Sequence, residues 1–288
     1  MIMNTTTIKN VFLLFLSFTA CSSEDPVDPV GDGVPLEVSA SITETVPTRA
    51  ESVTYEKKSF ETNDKISIWN KTSGSEAAAS TYQLSAAGQW LPGSGVTSLT
   101  TSGSDEVFSA SYVPDGYNGI QVDQATAAKY KSSIRLADES PVDGNKVTFA
   151  FVPEVAKITI RINYPDKTHT GESVQLVGST ALVDDKSATE EARKTVAFYA
   201  VSNTGDQHVY IGVVLPGTNI SYTINVTSSV GGVSDKKQSD TFTKTLEAGY
   251  NYTYIFSSTD KLILEGVTVD SFGTDEVDNG TGGNWSAT

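Results

Sequence analysis

The chain has 288 residues, enough for one large or two ordinary domains, each with a core of its own. Its 35 acidic and 20 basic residues give a net charge of -15 with no basic cluster, which argues against nucleic acid and against electrostatic binding to anionic lipid. Cys21 is the single cysteine, so an intrachain disulfide is excluded.

Residues 1–20 read as a secretory signal peptide: Lys9, the short apolar run "VFLLFLSF", then the small residues of "FTAC". A sole cysteine at that point resembles the lipobox of bacterial lipoproteins, in which the thiol is acylated, although Phe18 stands where leucine is commoner. Residues 21–34 follow as a lipid-anchored tether, acidic and rich in Pro and Gly. Its "SSED" resembles the surface-export signal of Bacteroidetes lipoproteins, which places the protein outside the cell, held at the outer membrane by its lipid.

"PLEVSASITETVPTRAES" comes next. Leu36, Val38, Ala40 and Ile42 alternate with polar residues as in a half-buried strand, and a turn-like stretch with Arg49, one of four arginines, follows. Further strands are expected at 64–70, 106–113, 146–152, 156–164, 173–179, 196–202, 208–215, 220–228, 240–247, 250–258 and 266–272, most alternating with period two between Gly, Pro, Asn or Asp turns. Helical candidates are few: 122–134 lacks a sustained apolar stripe, and 188–196 reads better as a loop insertion. The pattern predicts an all-β protein of two antiparallel β-sandwich domains in tandem. The boundary is drawn near Val147, giving 35–147, 148–272 and a polar tail 273–288, with the hinge in "FVPEVAK" where Pro153 ends a strand.

Chemistry-bearing motifs are sparse. His169 and His208 have no partner within metal-ligand spacing, and both read as ordinary surface or turn histidines. "GTDEVDNGTGG" lacks the spacing of a calcium loop. No nucleophile elbow, phosphate loop or dinucleotide fingerprint is present, so neither an enzymatic activity nor a cofactor nor a metal is expected. Three tryptophans and twelve tyrosines could form a glycan platform or fill sandwich cores, and sequence does not sort the two.

Several segments line up in order: the strand ending in "TRA", "SFETNDKISIWN", "EVFSASYVP", "VTFAFVPEVAKITIRI" and "AGYNYTYIF" before "GVTVDSF". Together they resemble the fimbrillin family of Bacteroidetes, the type V pilins and their relatives, from about Leu36 to Phe272. Pro153 stands where the family often has histidine, and Phe272 where it often has tryptophan. The resemblance implies transthyretin-like sandwiches and a fimbrial, adhesive subunit that assembles with other pilin subunits by strand donation. It also implies an arginine-specific protease cutting after Arg49, with Ala50 as the mature N-terminus and Leu36–Ile42 as the removable strand. Three large side chains of that strand, fully buried, would be worth about 5–9 kcal/mol before entropy. The candidate donor strand is "LILEGVTVDSF", with Leu262, Leu264, Val267 and Val269 in period two around a bulge or bend at Glu265–Gly266. The alternative is a permanently lipid-anchored surface lipoprotein that binds a glycan or host ligand and never polymerises.

Overall fold

A computed structural model describes residues 33–43, 57–103, 105–164, 169–202 and 206–272. The N-terminal half contributes β1 (Val34–Pro35), β2 (Glu37–Ile42), β3 (Lys65–Asn70), β4 (Ser80–Leu84), β5 (Trp90–Pro92), β6 (Thr100–Thr101), β7 (Val107–Tyr112), β8 (Leu136–Pro141) and β9 (Lys146–Pro153). Seven of these form one sheet in the order β2-β9-β8-β7-β3-β4-β5. Alternation sets the faces. In β9 Val147, Phe149, Phe151 and Pro153 are buried, while Lys146, Thr148, Ala150 and Val152 face outward. The terminal strands β2 and β5 pack near one another, so the sheet curls around its own core. Phe60 sits at that closure, edge-on to Trp90, Tyr112 and Phe151 with ring centroids 5.2–5.5 Å apart.

From the linker Glu154–Val155 onward the chain forms β10 (Ala156–Asn163), β11 (Thr170–Gly178), β12 (Thr195–Ala197), β13 (Tyr199–Ser202), β14 (Gln207–Val214), β15 (Gly217–Val230), β16 (Val233–Gln238), β17 (Phe242–Leu246), β18 (Tyr250–Ser258) and β19 (Leu262–Ser271). One sheet runs β13-β14-β10-β18-β19 and the other β12-β11-β15-β16, with β17 pairing the first part of β15. Ile158, Ile160 and Ile162 share a face with Tyr252, Tyr254 and Phe256 across the β10–β18 pair. That face meets Tyr222 and Phe242 of the second sheet, and the buried hydroxyls of Tyr222 and Tyr254 hydrogen-bond to each other. The β15–β16 hairpin turns on Gly231 and Gly232, with φ of 57° and 82°, as a tight two-residue turn requires.

The chain is nearly all β, as its alternation predicts, but the sheets are not purely antiparallel. β2 runs parallel to β9, and β10 runs parallel to β18. Parallel pairing joins strands distant in sequence, here over a hundred residues apart for β2, so period-two patterning carries no trace of it. Of the helical candidate 122–134, just Ala127–Lys131 is α-helix, capped by Thr126, whose hydroxyl accepts from the Lys129 amide. Residues 188–194 form a loop with a 3-10 turn at Ala192–Lys194, and Thr195 and Val196 begin β12. Residues before the helix serve instead to tie the loop 117–126 to the second half. Asp184 and Asp185 accept the Ile120 and Val122 amides, and the wholly buried Gln124 side chain bonds both backbone groups of Val213.

Candidate functional site

The first strand is held in two ways along its length. From Glu37 to Ile42 it lies parallel to β9, residue for residue from Glu37↔Lys146 to Ile42↔Phe151. The Glu37 amide donates to Asn145 O at 2.8 Å and the Thr43 amide to Phe151 O at 2.9 Å, so odd-numbered amides point at β9 and even-numbered ones away. Before Glu37 the partner changes. β1 pairs with β6 (Val34↔Thr101, Pro35↔Thr100), and the Leu36 amide donates to Leu99 O at 2.8 Å. Leu36 is buried, whereas Val38, Ala40 and Ile42 are half-buried against the core, because β2 is an edge strand with one flank open. That lowers the apolar contribution expected of the strand to about 3–5 kcal/mol.

β9 depends on this neighbour more than its place inside the sheet implies. It meets β8 at Leu136↔Pro153 and Ala137↔Val152 alone. Toward Lys146 the two strands diverge, and the Asp138 carboxylate accepts the Ala150 amide at 2.7 Å in place of a strand. Lys146 bridges back to Asp143, but among the described residues β2 is the sole strand neighbour of 147–151, and without it the flanks of Phe149 and Phe151 and the Val147, Phe149 and Phe151 amides would be uncovered.

The candidate donor segment forms β19, paired antiparallel with β18 from Tyr250↔Ser271 to Ser258↔Leu262. Its register slips by one residue between Ile255↔Gly266 and Phe256↔Leu264, leaving Glu265 as the extra residue of a bulge. The bulge puts Leu262 and Leu264 on the same face as Val267 and Val269, opposite Ser258, Phe256, Tyr254 and Tyr252, although their numbers differ in parity. Leu262 is buried and Val267 partly so, while Leu264 and Val269 are exposed at the edge of the sheet.

The histidines are neither surface nor isolated, which corrects the sequence reading. His208 opens β14 and His169 precedes β11, and the two gather with Glu172 and Tyr164 at one end of the second half. The buried Glu172 carboxylate accepts from the Tyr164 hydroxyl and pairs with His208 Nδ1. The His169 ring stacks on Tyr164 at 3.8 Å and its Nδ1 bonds Ser228 Oγ at 3.0 Å. Burial, with Lys237 nearby, lowers the His169 pKa, and burial beside Glu172 raises that of Tyr164. Tyr164, His169 and Glu172 are close in sequence, but His208 and Ser228 join them from 36 and 59 residues away, which no spacing rule could have found. The cluster is closed off from solvent and works as a structural polar core.

Cys21, Arg49, Ala50, Trp285 and the acidic segment after Phe272 lie outside the described residues. Trp90 belongs to the core and Trp69 is half-buried. Among the described residues, no three His, Cys, Asp or Glu side chains are placed to hold a metal ion.

An all-β chain with a sheet closed by its first strand, followed by a two-sheet sandwich, defines the structural class. No family model matches the sequence, and no curated protein does. Among solved structures, a "putative cell adhesion protein" of Bacteroides ovatus ATCC 8483 is similar with a TM-score of 0.57 at 14% identity, over 83% of this chain and 98% of its own. A second of the same description, from Bacteroides uniformis ATCC 8492, gives 0.53 at 18% identity over 84% of this chain and 100% of its own. The likeness is one of fold and extends through both halves.

Proposed function

We propose that this protein is a cell-surface structural subunit of the fimbrial or adhesive kind, exported as a lipoprotein anchored through Cys21. In this reading a protease cuts after Arg49, the first strand leaves, and a segment of another subunit takes its place against β9. The observation that carries the proposal is the dependence of β9 on β2. Among the described residues β2 is the sole strand neighbour of 147–151, and a strand so placed, at a sheet edge and ahead of the segment holding Arg49, can be exchanged without dismantling the rest of the sheet. The fold shared with the two Bacteroides proteins supports a surface role, and the reading assigns no catalytic step or cofactor. The division into two domains is part of the proposal, with its boundary moved from Val147 to the Glu154–Val155 linker because Lys146–Pro153 forms one strand of the first sheet.

One observation favours a second reading. β19 is paired along its whole length, and Phe272 behind it is buried, with Lys157 Nζ donating to its carbonyl at 3.2 Å. A C-terminal strand so well seated fits a subunit that accepts a strand but donates none, or an anchored surface protein that binds a glycan or host ligand without polymerising.

Treatment of the purified chain with a limiting arginine-specific protease separates these. A single cut before Ala50, loss of the front peptide and a ladder of heat-sensitive oligomers are expected of a polymerising subunit. Clean cutting with no ladder identifies an acceptor that does not donate. Resistance at Arg49 overturns the processing scheme.

A further inference from the structure

We propose that Glu106 is a latch on the entry end of the first strand: its carboxylate braces the strap Leu99–Gly103, and that strap supplies the strand pairing of Val34–Leu36. The inference rests on the reading that the first strand is released, and it names what gates the release.

Glu106 stands just before β7 and uses each carboxylate oxygen twice. One oxygen accepts Thr101 Oγ1 at 2.6 Å and the Ser102 amide at 2.9 Å. The other accepts Asn70 Nδ2 at 2.9 Å and Ser102 Oγ at 3.1 Å. Three of the four donors therefore belong to the strap, and bonds to an ionised acceptor are the stronger kind. The Thr101 bond, foremost among these, keeps the Glu106 carboxyl below the usual carboxylate range despite partial burial. At its other end the strap is fixed by the Leu99 amide, which donates to the buried Tyr82 hydroxyl at 2.9 Å.

Between those two anchors lie the groups that grip the strand. Leu99 O takes the Leu36 amide, while Thr100 and Thr101 pair with Pro35 and Val34. Gly33 passes so close that a Cβ there would lie 2.8 Å from Thr100 Cβ and 2.9 Å from Thr101 O, which excludes a side chain without movement of the strap. The strand is thus clamped in two segments: 34–36 by the backbone of the strap, with Asn145 Nδ2 adding a bond to Pro35 O at 3.1 Å, and 37–42 by β9. A cut beyond Ile42 frees the β9-bound end first. The entry end stays until the strap opens, so Glu106 controls the last step of departure.

Hydrogen–deuterium exchange on the intact full chain tests the latch without any processing. In Glu106→Gln the Leu36 amide is expected to exchange at least tenfold faster than in the wild type, with the Val152 amide of the β8–β9 pair unchanged. A Glu191→Gln control, on a distant exposed loop, should match the wild type. Should Glu106→Gln loosen the whole sheet, Thr101→Val removes one donor while keeping its shape, and the same local acceleration is expected. An unchanged Leu36 rate in Thr101→Val, or in a folded Glu106→Gln, overturns the latch. After cutting with an arginine-specific protease, front-peptide loss should be at least tenfold faster in the variants. If Arg49 resists the protease, the processing reading fails while the exchange rates still decide the latch.

Discussion

Gln124 shows a side chain taking the part of a strand. Its carboxamide oxygen accepts the Val213 amide at 2.8 Å, and its nitrogen donates to Val213 O at 2.8 Å and to Gln121 O at 3.0 Å, all in a site without solvent. Gln124→Ala strands both backbone groups of Val213 in the interior, and the stability loss should be about 2–4 kcal/mol, read from chemical denaturation. In the sequence this residue is one glutamine in "VDQATAAKY", with nothing to mark it, because its partner is a backbone 89 residues away. The histidines were hidden for the same reason. His169 faces Tyr164 at the end of β10, Glu172 of β11, Ser228 of β15, His208 of β14, and Asp235 and Lys237 of β16. Burial lowers its pKa below the ordinary 6.5, so the unfolded chain binds the proton more readily. The contribution of His169 is therefore intact above pH 6.5 and is lost as pH falls through the lowered value. Melting curves from pH 7.5 to 5 should show this decline, and His169→Gln, which can still hydrogen-bond Ser228 but does not titrate, should flatten it.

At the scale of the element, β2 and β19 each turn on a parity rule. The odd-numbered amides of β2 face β9, so Ser41→Pro deletes a ladder bond whereas Ala40→Pro removes an amide that points to the open edge. Ser41→Pro should cost about 3 kcal/mol or more and Ala40→Pro clearly less, a contrast that thermal denaturation of the two variants measures. In β19 the extra residue Glu265 reconciles two apolar pairs of opposite parity. Deleting it turns Leu262 and Leu264 to the opposite face, with a loss of about 2–4 kcal/mol as the buried Leu262 is driven out. The break at Glu265–Gly266 was legible as a bulge or bend, since both flanks alternate in period two and a glycine stands between them, and the register shows a bulge within one strand. The bulge itself put the four apolar residues on one face, and half of them are exposed because β19 lies at the sheet edge.

Across the whole molecule, the consequence of the parallel β2–β9 pair is that a peripheral six-residue strand completes the larger sheet. A chain beginning at Ala50 should lose at least the estimated 3–5 kcal/mol of apolar contact together with the ladder. A synthetic peptide of residues 33–43 added to it should raise its melting temperature in proportion to the logarithm of peptide concentration. No response to the peptide would mean that β9 finds another neighbour or collapses. From Ala50 onward the chain keeps 29 of the 35 acidic and 18 of the 20 basic residues, a net charge of -11 that opposes nonspecific association of the open edge and favours pairing by a strand of matching alternation.

Alternation of side chains is a property of neighbours along the chain, so the sequence by itself determined that this is an all-β protein and where most of its long strands lie. It determined too that Leu36, Val38, Ala40 and Ile42 share a face. It missed the short strands β4 and β5 and the polar β8 and β16, whose residues alternate weakly. Which strand lies beside which, and in what direction, depends on contacts between segments many residues apart. The tertiary structure alone therefore decided that β2 lies parallel to β9, that β9 has no second full neighbour, and that Glu106 reaches back to brace the strap. It alone brought His208 onto the buried Glu172 carboxylate and His169 against the Tyr164 ring that bonds the same carboxylate.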